Sequence, residues 1–151
     1  MLAIKDEGVC IRAGTIKDLP FILNSWLTSY KKESYWGRVL RTSIFYDNHK
    51  LILASILDTA EVLVMHHADD QDNILGYIVF HPHNDSVNLH YIYVKTLYRG
   101  LGFARRLLRE AIGEGKPLFC THTTDSYPHF SRYKISYNPY YLFEIMKGSP
   151  Q

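Results

Sequence analysis

The sequence predicts a mixed α/β protein with a twisted, mostly antiparallel sheet of six to seven strands and helices on both faces. Three observations lead to this fold class. Apolar residues recur at helical spacing in the first third of the chain, three β-rich runs then follow one another, and a helix precedes a further strand. Consecutive strands favour antiparallel hairpins, whereas a strand–helix–strand unit gives a right-handed crossover and a parallel pair.

The composition is that of an ordinary globular protein, and we expect residues 1–151 to form one domain. The net charge of +2 is too small to indicate a nucleic-acid or membrane partner. Cys10 and Cys120 fit neither a disulfide framework nor a metal-ligand pair, so buried free thiols in a reducing compartment are expected. The sequence has no signal-peptide pattern and no apolar run of membrane-spanning length, which predicts a cytoplasmic protein.

The first third of the chain predicts one strand and two helical regions. Residues alternate over Val9–Ala13, as in a strand. Thr15 is placed as the N-cap, with Asp18 in the first turn, of a helix that runs to about Tyr30. After a polar break, a second helical region follows in pieces and is clearest over Asp47–Leu57.

Three strands in a meander are expected next, over Glu61–His67, Ile74–His81 and Val87–Lys95. The acidic segment Ala68–Asn73 is predicted to be the first hairpin loop, and Pro82–Asp85 the second turn. A helix is then expected from about Gly100 to Ile112, because glycines suited to a C-cap follow it. The last predicted elements are a strand over Leu118–Thr123, a short helix within Ser126–Lys134 and an extended segment over Tyr137–Met146.

The most informative stretch is Val94–Leu108, where a strand feeds a glycine-containing loop that opens directly into an amphipathic helix. The first N–H groups of a helix have no intrahelical partner and lie at the positive end of its dipole. Gly100 and Gly102 allow the backbone to approach a ligand closely. A diphosphate is the natural ligand of such a loop.

Arg99, Gly102 and Ala104 reproduce the pattern Arg/Gln-x-x-Gly-x-Gly/Ala, and with the flanking strand and helix the chain resembles the GCN5-related N-acetyltransferase (GNAT) superfamily. The order of elements matches over residues 9–146. The chain length and the Tyr-Asn-Pro-Tyr segment also resemble small acetyltransferase-like proteins of phages. The resemblance implies the GNAT fold, acetyl-CoA as co-substrate, and transfer of its acetyl group to a primary amine by direct attack in a ternary complex.

The resemblance also implies how acetyl-CoA is bound. Arg99 adds charge at the start of the loop, and Arg105 is expected to reach a phosphate unless it belongs to a solvated helix face. The pantetheine arm is expected to pair with the strand edge near its end. The predicted cofactor-binding residues are Ile92, Tyr93, Val94, Arg99, Gly100, Leu101, Gly102, Phe103, Ala104 and Arg105.

Amide formation needs a neutral amine and a proton donor for the departing thiolate. By resemblance to the arylalkylamine acetyltransferases, which carry two histidines at alternating strand positions, His90 is the candidate base and Asn88 orients a water on the same face. A base made of ordered water, with a structural His90, is the alternative. Tyr133 is the candidate acid and Tyr127 its competitor, and in a chain rich in tyrosine either ring is otherwise a packing residue.

If the β-bulge usual in the family is present, the resemblance implies that a backbone N–H around Ile92 or Tyr93 polarises the thioester carbonyl. No metal site is predicted. His81 and His83 lack cysteine or carboxylate partners at ligand spacing, and the adjacent pair His66-His67 points to opposite faces of a strand.

The sequence does not identify the molecule that accepts the acetyl group. The regions expected to form its site carry many rings, which either line a pocket for a flat or amphipathic amine or fill the core: Trp26, Tyr30, Tyr35, Trp36, Tyr46, Tyr137, Tyr140 and Tyr141. Neighbouring lysines and arginines would suit an anionic acceptor, but a nucleic acid is not favoured. An acyltransferase acting on protein and a non-catalytic acyl-CoA-binding module are the alternatives. No membrane partner is expected, and the protein is a monomer or a homodimer.

Overall fold

The computed structural model describes residues 8–113, 115–125 and 133–147. Within these ranges, six strands form one sheet in the order β1 to β6. The strands are β1 Val9–Ala13, β2 Glu61–His67, β3 Asp70–His83, β4 Ser86–Val94, β5 Leu118–Cys120 and β6 Ser136–Tyr137. The helices are α1 Leu19–Glu33, α2 Tyr35–Val39, α3 Thr42–Thr59, α4 Phe103–Ile112 and α5 Tyr141–Lys147.

Strands β1 to β4 are antiparallel neighbours, whereas the β4–β5 and β5–β6 pairs are parallel. Helix α4 connects β4 to β5, as a parallel pair requires. The β4–β5 ladder ends at the pair Leu89–Cys120, although β4 continues to Val94. The two strands therefore separate beyond this pair and leave a gap in the sheet, and the predicted mixed sheet is confirmed.

Each face of the sheet carries its own apolar core, so helices are needed on both sides. Helix α4 buries Leu107 and Leu108 against one face. Helices α1 and α3 bury Ile22, Trp26 and Leu53 against the other. Each fully buried side chain of this size contributes about 1.5–3 kcal/mol relative to an exposed one, so the two cores fix the helices on the sheet.

The start of the first helical region is held by Asp18, as its place in the predicted first turn indicates. Its carboxylate accepts a hydrogen bond from the backbone N–H of Thr15 at 2.7 Å. The same carboxylate forms an ion pair with Arg12 at 2.7 Å, and this lowers the pKa of Asp18 to about 2. A short 3-10 turn, Ile16–Asp18, precedes α1, so the α-helix begins at Leu19 rather than directly after Thr15.

The largest departure from the predicted elements is at the C-terminal end, where the extended segment Tyr137–Met146 is wrong. Strand β6 ends at Tyr137, and the chain then turns into α5. Asn138 Oδ1 accepts the backbone N–H of Tyr140 at 3.2 Å, and Leu142 and Ile145 pack on the α1–α3 core. Residues three apart share a helix face, and this periodicity overrides the β-like composition.

Two smaller expectations also change. The predicted hairpin between β2 and β3 is confirmed, but its loop is shorter than Ala68–Asn73, because β3 already begins at Asp70 and pairs it with His67. Cys120 is buried as expected, whereas Cys10 is exposed, and both are free thiols. The helix predicted within Ser126–Lys134 falls largely outside the described residues. No helix among the described residues is both long enough and apolar enough to cross a membrane.

Candidate functional site

A cavity of about 520 Å³ lies in the gap where β4 and β5 separate. One wall is the C-terminal half of β4, and the floor is the loop that leads into α4. Its described lining residues are Glu33, Tyr91, Ile92, Tyr93, Val94, Tyr98, Arg99, Gly100, Gly102, Phe103, Ala104, Arg105 and Thr124. The structure therefore brings together at one cavity nine of the ten residues that the sequence assigns to acetyl-CoA binding; Leu101 is exposed within the same loop.

The loop Arg99–Ala104, here called the cofactor loop, has the backbone of an anion-binding turn. Gly100 and Gly102 have φ values of +83° and +84°, a conformation that disfavours any residue with a Cβ. A Cβ built on either glycine meets no protein atom within 4 Å, so the space above both is open. Helix α4 starts at Phe103, later than the predicted start at Gly100, because both glycines are left-handed.

The charge at the cavity comes from Arg99, which is held in place from two sides. Its Nε donates to the carbonyl of Val94 at 2.9 Å, and its Nη1 pairs with Glu33 Oε1 at 2.9 Å. The guanidinium also lies 6.0 Å from the centre of the Tyr93 ring. Arg99 thus links the end of β4 to the end of α1 across the cavity, and Arg105 adds a second positive group to the lining.

A β-bulge is present on β4 and lies at His90, two positions before Ile92. Ile92 and Tyr93 pair regularly with β3, whereas the register shifts between the pairs Val79–Tyr91 and Phe80–Leu89. His90 is therefore the extra residue of β4. Because of this shift, Leu89 packs on the α4 side and Tyr91 on the α1–α3 side of the sheet.

His90 and Asn88 lie on β4 as predicted, but both are buried and neither is among the described residues that line the cavity. The ring of His90 is bonded at both nitrogens, to His81 Nδ1 at 2.7 Å and to Thr121 Oγ1 at 2.7 Å. This arrangement leaves His90 no nitrogen to present to an acceptor amine. Asn88 lies opposite His81 in the β3–β4 ladder.

His90 belongs to an unbroken series of hydrogen bonds that we call the histidine chain: His49, His122, Thr121, His90, His81 and Thr59. Nε2 of His49 faces Nε2 of His122 at 2.9 Å, and His122 Nδ1 faces Thr121 Oγ1 at 2.9 Å. At the other end, His81 Nε2 faces Thr59 Oγ1 at 2.9 Å. The members come from α3, β3, β4 and the residues after β5, so no spacing in the sequence groups them.

Burial keeps the rings of the histidine chain uncharged. It lowers the pKa of His90 to about 3, with a further contribution from His81, and that of His49 to about 4. Burial also lowers the pKa values of His81 and His122. Because an uncharged imidazole carries one N–H and one acceptor nitrogen, the three rings bonded at both nitrogens, His122, His90 and His81, each donate one hydrogen bond and accept another at neutral pH.

Tyr133 is half-buried and packs against the apolar cluster on the α4 side of the sheet. It is not among the described residues that line the cavity. Tyr127, the competing candidate, lies outside the described residues. Among the described residues, the structure therefore does not place Tyr133 at the cavity wall, and its role stays a prediction.

The eight rings expected around the acceptor do not share one environment, and Tyr141 is half-buried and contacts His81. Trp26, Tyr30 and, more partially, Tyr46 lie in or against the core, where the Trp26 and Tyr91 rings stack at 5.0 Å. In contrast, the rings on α2 and near β6 are exposed, and so are not core residues: Tyr35, Trp36, Tyr137 and Tyr140. Within the described residues, no three histidine, cysteine or acidic side chains form a group able to hold a metal.

Comparison with known protein families identifies the family of this chain. Residues 19–127 match the acetyltransferase (GNAT) family, a span that contains β2 to β5, the cofactor loop and α4. The chain belongs to the GNAT family. A comparison with curated proteins finds none that matches the sequence.

Solved structures show the same fold at low sequence identity. A proposed acetyl transferase from Pyrococcus furiosus aligns with a TM-score of 0.56 and 16% identity over 95% of this chain and 93% of that one. The GNAT family N-acetyltransferase YhbS from Escherichia coli, solved with CoA, aligns with a TM-score of 0.54 and 17% identity over 83% and 67%. A GNAT family acetyltransferase from Brucella melitensis, solved with acetyl-CoA, gives 0.50 and 19% over 81% and 80%.

Proposed function

We propose that this GNAT protein is an N-acetyltransferase that moves the acetyl group of acetyl-CoA to a primary amine by direct attack in a ternary complex. The observation that carries the proposal is the cavity in the β4–β5 gap, which ends at two left-handed glycines and the N-terminus of α4. The unpaired N–H groups of a helix start and the adjacent arginines are the donors that a diphosphate requires.

The described residues fit acetyl-CoA part by part. The pyrophosphate is assigned to the backbone of Leu101–Ala104, where a Cβ on Gly102 would fill the open space. The pantetheine arm is assigned to Ile92–Val94, because β4 has no strand partner among the described residues on its gap side there and an extended amide chain adds to such an edge. Arg99 and Arg105 supply the positive charge.

The β-bulge of β4 supports a site for the thioester beside Tyr91. A bulged residue leaves the regular ladder and changes the direction of the neighbouring N–H groups. Tyr91 directly follows the bulge and lines the cavity. We therefore assign polarisation of the carbonyl to the backbone at Tyr91, and protonation of the departing thiolate to Tyr133.

The test is release of CoA thiol from acetyl-CoA in the presence of a panel of aromatic, aliphatic and anionic primary amines. We expect release above the hydrolysis background with at least one amine, and an acetylated product with the mass of the amine plus one acetyl group. Tight binding of acetyl-CoA by calorimetry without release for any amine would contradict the enzyme and support an acyl-CoA-binding module.

A further inference from the structure

The histidine chain runs alongside α3, and both of its ends lie on that helix. His49 and Thr59 are separated by about 15 Å along the axis, at 1.5 Å per residue. The middle of the chain is closed to solvent, with His90, Thr121 and His122 exposed by 0%, 2% and 1%. His49 and His81 are half-buried and Thr59 is exposed, so the chain connects two partly exposed ends through a buried middle.

The hydrogen atoms of this chain have two self-consistent arrangements. A neutral imidazole donates from one nitrogen and accepts at the other, and a hydroxyl between two rings donates to one and accepts from the other. Once His49 donates to His122, every following group donates in the same direction as far as Thr59. Once Thr59 donates to His81, every group donates in the opposite direction. Moving one proton at one end of the chain therefore exchanges donor and acceptor in all five hydrogen bonds.

Of the two ends, His49 is the one that ring contacts link to the wall of the cofactor cavity, although His49 is not among the described residues that line it. Its ring stacks on Tyr30 at 5.0 Å, and Tyr30 meets Tyr91, a wall of the cavity, at 6.0 Å. Nε2 of His49 faces His122, and its Nδ1 has no hydrogen-bond partner among the described residues. The other end lies further along α3, where His81 contacts Tyr141 of α5.

Building on the proposed acetyl transfer, we propose that the histidine chain is a proton relay, with His49 as the group that exchanges protons with the reactants. An N–H bond of the acceptor ammonium breaks as an N–H bond forms at His49 Nδ1, each group passes its own proton on, and one proton enters water at the Thr59 end. His49 is thereby the end at which protons enter and leave on the cavity side, and like the other five members it is a positioning and conducting residue.

The chemistry of N-acetylation resets such a relay. After one passage the chain donates in the reverse direction, and a return passage brings one proton from water to His49 and on to the CoA thiolate, or to the tyrosine that protonates it, forming the S–H bond. The second proton lost by the amine enters water. Ammonium and thioester thus give amide, thiol and one released proton, and the chain ends each cycle as it began.

The decisive variant is Thr121→Val, which removes the hydroxyl at the middle of the chain without altering the cavity lining. We expect kcat for acetylation to fall at least tenfold, with an unchanged Kd for CoA, because the two halves of the relay are disconnected. The matched control, Thr121→Ser, keeps the hydroxyl and should stay within about twofold of wild type. Wild-type kcat in a folded Thr121→Val protein overturns the relay.

Thr59→Val tests the same relay at an exposed position, where folding does not depend on the side chain. It should lower kcat severalfold while Thr59→Ser does not, and equal rates for the two overturn the relay. If wild-type protein releases no thiol with any amine, it is the proposed acetyl transfer that fails.

A measurement without substrates keeps the two proposals separate. Nitrogen-15 NMR of histidine-labelled protein at pH 7 reports which ring nitrogen carries the proton. We expect Thr121→Val to change the tautomer signals of all four rings, including His49 and His81 at the ends. Changes confined to the two rings that touch Thr121 would show independent hydrogen bonds and overturn the relay.

Discussion

The cofactor loop and the histidine chain differ in their electrostatics. The loop offers backbone N–H groups, a helix N-terminus and two arginines to an open cavity. The chain offers rings whose charge is suppressed by burial. Holding an anion requires fixed positive groups near water, whereas buried histidines are most stable when they stay neutral and hydrogen-bonded. The two regions therefore need different surroundings.

The largest expected effect is the loss of unfolding free energy at acid pH, which reports on the histidine chain and not on the cofactor loop. The pKa values of His90 and His49 are lowered to about 3 and about 4, against about 6.5 in the unfolded chain. Below pH 6.5 the unfolded state takes up protons that the folded state refuses, so stability falls as pH falls. For two rings we expect a loss of about 4 kcal/mol between pH 7 and pH 5, measured by urea unfolding.

The His90→Gln variant, studied by the same urea unfolding, has one buried ring fewer than the wild type. Its free energy of unfolding should therefore depend less on pH than that of wild type, although it is lower at pH 7. Equal free energies for the wild type at the two pH values would contradict the neutral, buried state of the chain.

Tyr133→Phe tests a residue that belongs to neither region. If its hydroxyl protonates the thiolate, kcat should fall about a hundredfold with an unchanged Kd for CoA. Tyr140→Phe, which alters an exposed ring of the same segment, is the matched control and should keep full activity. A wild-type kcat for Tyr133→Phe would remove the acid role and leave the residue as part of the α4-side core.

Gly102→Ala tests the cofactor loop without touching the histidine chain. The added methyl group enters the open space assigned to the pyrophosphate, so Kd for CoA should rise about tenfold, which corresponds to about 1.4 kcal/mol. Gly115→Ala is matched in backbone, since φ is +85° there and +84° at Gly102 and neither Cβ meets a protein atom. It should lower the melting temperature similarly and leave Kd unchanged. Equal Kd values in calorimetry would move the phosphate site elsewhere.

Glu33→Gln should give the smallest effect. The carboxylate shares Arg99 with the incoming phosphates and repels them, so its neutralisation should tighten CoA binding two- to fivefold. Stability should barely change, because the Glu33–Arg99 pair is partly exposed, at 29% and 41%, and such pairs contribute about 0–1 kcal/mol. Weaker binding in calorimetry would instead show that Glu33 is needed to orient Arg99.

The cofactor loop and the sheet could be predicted because their signals are local. Arg99, Gly102 and Ala104 lie within one short loop, and the physical role of each residue can be recognised from its type and position. The strands β2 to β4 are contiguous runs of β-forming residues. Helix α5 is not predicted by the sequence, because its aromatic residues favour strands in isolation. Its contacts with the α1–α3 core stabilise the helix instead.

The histidine chain could not be predicted because its members meet only in the folded protein. His49 and His122 are 73 positions apart, and Thr121 looks like any polar residue after a strand. His90 was singled out, but its bulge moved it away from the cavity and into the interior network. Pattern alone fixes the face of a strand residue only where the ladder is regular.

The gap between β4 and β5 also bears on whether this sheet exposes an unpaired strand to other chains. A strand with one open side is a template on which another chain can add and start an aggregate. Here the open stretch of β4 lies inside the molecule, between α1, the cofactor loop and the residues after β5, rather than at the outer rim of the sheet. Such a slot has room for a single extended ligand but not for the sheet of a second molecule. The unpaired side of β4 is therefore accessible to a small molecule and protected from strand addition by another copy of the protein.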